Sequence, residues 1–279
     1  MITAAQEDYI ERHAYVPEHI PPYVTAVSQT EPFLFGDFLV YAKKRHFILI
    51  GYPLEEPFDE KRMGTALEDA VKRFKAEVVS LTAPTIPFSV EGCVHSPPDH
   101  YYRLDLSSIS ISQKLRNMLK RAGGVLSVEQ SNRFDEGHRR MIAEFLKTHP
   151  LDEATRFIFQ RIDTYLSSSK TARIFDARTE RGELVAFDVA EFGPMNYALY
   201  MFNISSAVRY VPGASDLLLS EVINRAKIER KKYINLGLGI NSGVTFFKEK
   251  WGGVPFLPYA SCFYHPSRKE DLDKLLQKL

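Results

Sequence analysis

The chain has 279 residues, 44% of them hydrophobic and 25% charged, with a formal net charge of +1. That length supports one large or two small domains of an ordinary globular protein. Near-neutral charge excludes chain-wide attraction to nucleic acid or membrane, and stretches such as Phe33–Val40 are far too short to span a bilayer.

The opening MITAAQEDYIERH carries early acids and no apolar core, so it does not read as a signal peptide. A short helix suits it, and Pro17, Pro21 and Pro22 argue against a long one beyond. Asp37–Ala42 and His46–Tyr52 read as strands around a KKR turn. Asp59 then caps a helix over Glu60–Lys75, where Leu67, Ala70, Val71 and Phe74 recur at helical spacing. Glu77–Leu81 is strand-like, and the proline-rich Thr82–Pro98 reads as loop. Cys93 and Cys262 are the only cysteines; without a secretory signal they are expected as reduced thiols in a cytoplasmic protein, with a peripheral membrane position compatible. The eight histidines show no metal-ligand spacing, and His95, Asp99, His100 and Cys93 make a poor zinc set, so no metal is expected. There is no nucleophile elbow and no phosphate-binding GxxxxGK loop.

A second cycle starts with a strand over Tyr101–Leu106 and a basic helix over Gln113–Ala122, stopped by Gly123–Gly124. A strand at Val125–Gln130 is followed by helices over Asp135–Thr148 and Glu153–Ser167. Thr171–Thr179, Leu184–Phe192 and Asn196–Ile204 read as three consecutive strands, the first two joined as a hairpin. The loop Val211–Ser215 leads into a helix over Asp216–Lys231, a strand at Tyr233–Leu238, the run GLGINSGVTFFKEKWGG, a strand at Phe256–Tyr264 and an amphipathic tail at Lys269–Lys278. Hairpins and helical crossovers together predict a mixed α/β sheet. Both halves contain an antiparallel strand pair, a helix and a further strand, which reads as two related units, residues 1–122 and 123–279.

Three passages resemble the tandem branch of the GNAT-like N-acyltransferases. That branch holds the Fem-type peptidyltransferases and the catalytic domain of phosphatidylglycerol lysyltransferases. The passages are YYRLDLSS with KLRNMLKRA (Tyr101 to Ala122), YVPGASDLLLSEVINRA (Tyr210 to Ala226) and INLGLGINSGVTFFKEKWGG (Ile234 to Gly253). The resemblance implies two tandem GNAT-like units with mostly antiparallel central sheets. It also implies transfer of an acyl or aminoacyl group from acyl-CoA or aminoacyl-tRNA to an amine or hydroxyl of a small molecule, lipid or peptide. Neither a covalently bound cofactor nor DNA is implied, whereas tRNA is a partner the branch allows. The chain departs from the pattern where Val211-Pro212-Gly213-Ala214-Ser215 replaces the glycine-rich pyrophosphate turn of acetyl-CoA enzymes. It also lacks the coiled-coil insertion of some Fem-type enzymes. A non-catalytic ligand-binding protein on the same fold is the alternative.

Candidate site residues follow. Gly213, Ala214 and Ser215 open a helix whose N-terminus can hold an anion, with Arg209 adding charge and Gly213 letting a ligand approach; Ser215 reads equally as an ordinary cap. Asp216 in that first turn would repel a pyrophosphate. Two basic helix faces, Lys114 to Arg121 and Arg225 to Lys232, could steer a nucleotide or tRNA, or be merely solvated. Asp188 falls inside an apolar strand and reads as a proton acceptor or as a polar residue facing solvent. Strict alternation puts Tyr197, Leu199, Met201 and Asn203 on one face and Tyr200 on the other, with Tyr200 and Asn203 both within reach of a donor. In the glycine-rich run, Asn241 and Gly243 suit positive backbone dihedrals, and Phe246, Phe247 and Trp251 are expected beneath the sheet. Lys248, of the phenylalanine–lysine pair, is implied by the resemblance to touch substrate.

Overall fold

The computed structural model describes residues 1–55, 57–86 and 93–266. The tail expected over Lys269–Lys278 and residues 87–92 of the proline-rich loop lie outside the described residues. The N-terminal elements are α1 (Ala4–His13), α2 (Pro21–Ser28), β1 (Glu31–Phe35), β2 (Phe38–Lys43), β3 (His46–Ile50), α3 (Glu60–Phe74), β4 (Val78–Ala83) and β5 (Val94–His95). There follow β6 (Asp99–Asp105), α4 (Gln113–Gly123), β7 (Leu126–Ser131), α5 (Glu136–Thr148), α6 (Glu153–Gln160), α7 (Ile162–Ser168), β8 (Ala172–Thr179), β9 (Leu184–Glu191) and β10 (Tyr197–Ser205). The chain closes with α8 (Ala214–Ile228), β11 (Tyr233–Leu238), α9 (Ser242–Glu249) and β12 (Val254–Tyr264).

Local chemistry explains most starts. Thr3 forms a capping box with Gln6, and Asp59, Ser112, Asp135 and Asp152 each accept a backbone N–H in the first turn of the helix they precede. Pro21 and Pro22 do not prevent α2; they occupy its first positions, where a missing N–H costs nothing. The single helix expected over Glu153–Ser167 breaks at Arg161 into α6 and α7.

Among the described residues, all strands join one 12-stranded mixed sheet in the order β1-β2-β3-β4-β12-β6-β11-β10-β9-β8-β7, with β5 paired to β12 off this path. The parallel pairs are β3 with β4, across α3, and β10 with β11, across α8. β12 stitches the halves together: Val254–Tyr259 pairs with β6 and Ala260–Tyr264 with β4. The two tandem units of a mixed α/β sheet are therefore fused edge to edge. β6 pairs with β11 and α4 packs on α8, so residues 99–123 belong to the C-terminal half of the sheet. The unit boundary expected at 122–123 falls inside that half, because strand pairing rather than chain order groups the elements.

Two layers of helices cover the sheet. α4 and α8 bury Leu104, Ala186, Ala190, Leu218 and Trp251 on one face of the C-terminal half, and α5 to α7 bury Ile142, Tyr165, Phe187 and Leu199 on the other. β9 is buried along its whole length. Cys93 and Cys262 correct the expectation of two reduced thiols: they are joined as a disulfide, with Cα atoms 5.6 Å apart, within the span such a bond needs. The register that sets Cys262 beside β5 brings them together.

Candidate active site

β10 and β11 are paired only through Tyr197–Leu199 and Tyr233–Asn235, and beyond that point the strands part. The divergence is built in twice. Met201 is an extra residue in β10, because Tyr200 pairs with Ala190 and Phe202 with Val189. Gly237 in β11 has φ +78°, a conformation that side chains resist, and a methyl there would lie 3.7 Å from Lys248 Nζ and 3.9 Å from the Tyr200 carbonyl oxygen. The opening thus presents one backbone carbonyl and one lysine amine across a residue without a side chain.

The bulge also corrects the strand reading. Strict alternation placed Tyr200 and Asn203 on opposite faces. The additional residue at Met201 brings both to the α8 side, while Phe202 turns to the opposite core. Asn203 pairs in register with Asp188 and donates from Nδ2 to its Oδ1 at 2.5 Å. Asn203 Oδ1 in turn accepts the Ser215 hydroxyl at 3.0 Å. Ser215 is therefore not the cap of α8, a position held by Gly213 at φ +84°. Asp188 is fully buried, so it does not face solvent; burial pushes its carboxyl up to about 8, with Asn203 and Tyr200 acting against that rise and Asp216 adding to it. Asp188 Oδ2 and the Tyr200 hydroxyl are both buried and lack a well-aligned hydrogen bond, although the phenol faces the carboxylate. A pair of this kind can pass a proton from the opening inward.

Lys248 reaches the opening from α9. Its Nζ donates to the Leu238 carbonyl at the end of β11 and lies 5.6 Å from the Tyr102 ring. Burial pulls its pKa down to about 7, opposed only by the Asp99 carboxylate. Tyr200 links the two candidates: its ring stacks on Phe247 at 6.5 Å, one residue before Lys248, while its hydroxyl faces Asp188.

The remaining candidates separate into open and closed positions. Gly213 does not open the backbone to a ligand: a methyl there would lie 2.9 Å from Met118 Cγ, so its small size serves the close approach of α4. Ala214 donates its N–H to Val211, while Ser215 and Asp216 present first-turn N–H groups at the N-terminus of α8. Arg209 is exposed on the loop before α8. Asp216 is buried and neutralised, because Lys250 pairs with it at 2.7 Å and the Trp251 indole N–H donates to it at 2.9 Å. This contact, missed by sequence reasoning, fixes the end of α9 to the start of α8 and explains the burial of Trp251. Asn241 differs from expectation: with φ −156° it caps α9, accepting the Gly243 and Val244 N–H groups. The positive φ falls instead on Ile240. Both N–H groups of Gly239 and Ile240 are held by Asp99. Phe246, expected in the core, is 66% exposed, since α9 turns Phe247 and Lys248 inward instead. Of the basic faces, Lys231 is taken up by the Phe192 and Pro194 carbonyls and Arg225 by Glu229. Among the described residues, no three His, Cys, Asp or Glu side chains converge to hold a metal, and no helix is long and apolar enough to cross a membrane.

By sequence, no family model and no curated protein matches the chain. By fold, it is similar to several solved structures. L-PGS from Bacillus licheniformis superposes with TM-score 0.60 at 16% identity, over 91% of this chain and 90% of the other. FemX superposes with TM-score 0.63 at 10% identity, over 93% and 96%. A tandem GNAT protein from the clavulanic acid biosynthesis pathway gives TM-score 0.54 at 10% identity, over 94% and 96%. The fold is that of the tandem GNAT-like, Fem-type branch.

Proposed function

We propose that this protein moves an acyl or aminoacyl group from a carrier to an amine or hydroxyl acceptor at the opening between β10 and β11. The observation that carries the reading is that parting of the strands, with Lys248 Nζ at its lip and the Tyr200–Asp188 pair beside it. The likeness in fold to L-PGS, FemX and a tandem GNAT protein supports transfer of this general kind.

In the proposed step the acceptor nitrogen or oxygen attacks the acyl carbonyl carbon, and the bond from that carbon to the carrier oxygen or sulfur breaks. The acceptor proton passes through the Tyr200 hydroxyl to the Asp188 carboxylate, and the Lys248 ammonium gives its proton to the departing carrier atom. Backbone groups freed where the strands part hold the carbonyl, so positioning rather than covalent catalysis supplies the acceleration. The first-turn N–H groups of Ser215 and Asp216, with Arg209 nearby in sequence, suit an anionic part of the carrier; coenzyme A and the phosphates of a tRNA end both provide one.

The test is thermal stabilisation by coenzyme A, acyl-CoAs and aminoacyl-tRNA analogues, followed by single-turnover transfer to primary amines. One carrier is expected to stabilise the protein and to lose its acyl group only when Lys248 is intact. Stabilisation by none of them would overturn the reading.

A further inference from the structure

Most buried carboxylates in this fold have an identifiable partner. Asp37 pairs with Arg62, Asp176 with His138 and Arg178, and Asp216 with Lys250, while Glu191 accepts four hydrogen bonds. Asp188 belongs to the site described above. Glu18 is different. Its carboxylate is held by the Tyr101 hydroxyl at 2.7 Å and by its own backbone N–H, and among the described residues no cation pairs with it. Burial raises its pKa. Half-buried and without a cation of its own, this carboxylate is free to accept a proton or an outside positive charge.

The surroundings are aromatic. Tyr41 donates its hydroxyl to the Glu18 carbonyl at 2.9 Å, Tyr52 and Tyr259 each sit edge-to-face with Tyr101 at 5.7 Å, and Tyr23 also feels the Glu18 charge. Even so, Glu18 and Tyr23 both remain partly exposed, so the cluster is open to water.

Its place in the fold matters most. Tyr101 and Tyr102 are consecutive on β6 and point to opposite faces. Tyr101 meets Glu18, and the ring of Tyr102 lies by Lys248. Leu238, whose carbonyl accepts the Lys248 amine, pairs in register with Tyr101. Asn235, the last residue of β11 paired with β10, donates to the Tyr15 carbonyl at 2.8 Å and so ties the segment carrying Glu18 to the point where the strands part. The Glu18 cluster and the Lys248 cluster are thus back to back through the sheet at β6.

We propose that Glu18 and the tyrosines around it form a subsite for a protonated primary amine, on the face of the sheet opposite the carrier. The carboxylate supplies the charge, and the tyrosine rings supply an electron-rich wall of the kind that holds ammonium groups. Calling the bound group part of the acceptor rests on the transfer reading above; the binding itself does not.

The experiment uses the full chain and n-butylammonium as probe, with n-butanol as the neutral comparison at matched ionic strength. Binding is followed by saturation-transfer NMR. Saturable binding of the amine and none of the alcohol is expected, with Glu18→Gln weakening it by about tenfold or more, as loss of one charge-assisted hydrogen bond implies. Lys248→Met, which removes transfer under the reading above, is expected to leave amine binding intact. Should Glu18→Gln fail to fold, Glu18→Asp withdraws the carboxylate by one methylene and is expected to weaken binding several-fold. No saturable amine binding, or equal binding in the Glu18 variants, overturns the subsite. Amine binding through Glu18 without transfer from any carrier would overturn the transfer reading and leave the subsite standing.

Discussion

Replacing Asp188 by asparagine should make the protein more stable and less active, with a pH dependence that identifies the cause. The Asp188 carboxyl keeps its proton up to about 8 in the folded chain, against a reference value of 3.8. Between those limits the folded state binds more protons than the unfolded state, so the stability Asp188 contributes is fully present below the unfolded value. It is then lost as pH rises, by about 1.4 kcal/mol per pH unit, until the folded group ionises. At pH 7 the accumulated loss is about 4 kcal/mol. Asparagine does not titrate, and it fits the site: its carbonyl can accept from Asn203 Nδ2, and its amide can donate to the Tyr200 hydroxyl that now lacks a partner. Urea denaturation of both proteins between about pH 5 and about pH 8 should show the variant gaining on the wild type by roughly that slope. Transfer should fall by about a hundredfold or more once the proton acceptor is gone. A stability difference that is flat across this range would show that Asp188 does not titrate there, and the argument from its burial would fail.

Three further outcomes are expected. Transfer needs Asp188 ionised and Lys248 protonated, groups displaced to about 8 and about 7, so kcat of the wild-type protein should follow a bell with its maximum between those values. Asp216→Ala strands the Lys250 ammonium and the Trp251 indole N–H and should cost about 3 kcal/mol in urea denaturation, the low end for a buried pair because Lys250 can turn to water. Gly237→Ala forces a methyl-bearing residue to φ +78° and narrows the opening beside Lys248; it should cost about 1–2 kcal/mol in thermal unfolding and reduce turnover by more than that loss explains.

Elements with strong local codes were legible in the sequence. The cap at Asp59, the hairpin joining β8 to β9 and the crossover through α8 all follow from short-range patterns and match the structure. Asp188 was legible as a candidate because its charge falls inside an apolar strand, and Lys248 through the resemblance carried by its phenylalanine–lysine pair. Their surroundings were not. The bulge at Met201 has no sequence signature, because it is imposed by pairing with β9, and it alone decides that Tyr200 and Asn203 share a face. The helical form of α9 was hidden by its glycines, although Asn241 three residues before Val244 is an ordinary capping signal.

Hydrophobic period, capping residues and turn chemistry act within a few positions, so the sequence by itself determined most of the element order and the mixed sheet, and its resemblance to the tandem GNAT-like branch implied two units. Contacts between distant segments have no such local trace. The tertiary structure alone decided that β12 fuses two units into one sheet and that Cys93 meets Cys262. It alone showed that Asp216 is neutralised by Lys250 and that Glu18 lies half-buried against the strand that carries Tyr102 toward Lys248. Charges so placed take their properties from burial and from partners far along the chain, and those exist only once the chain has folded.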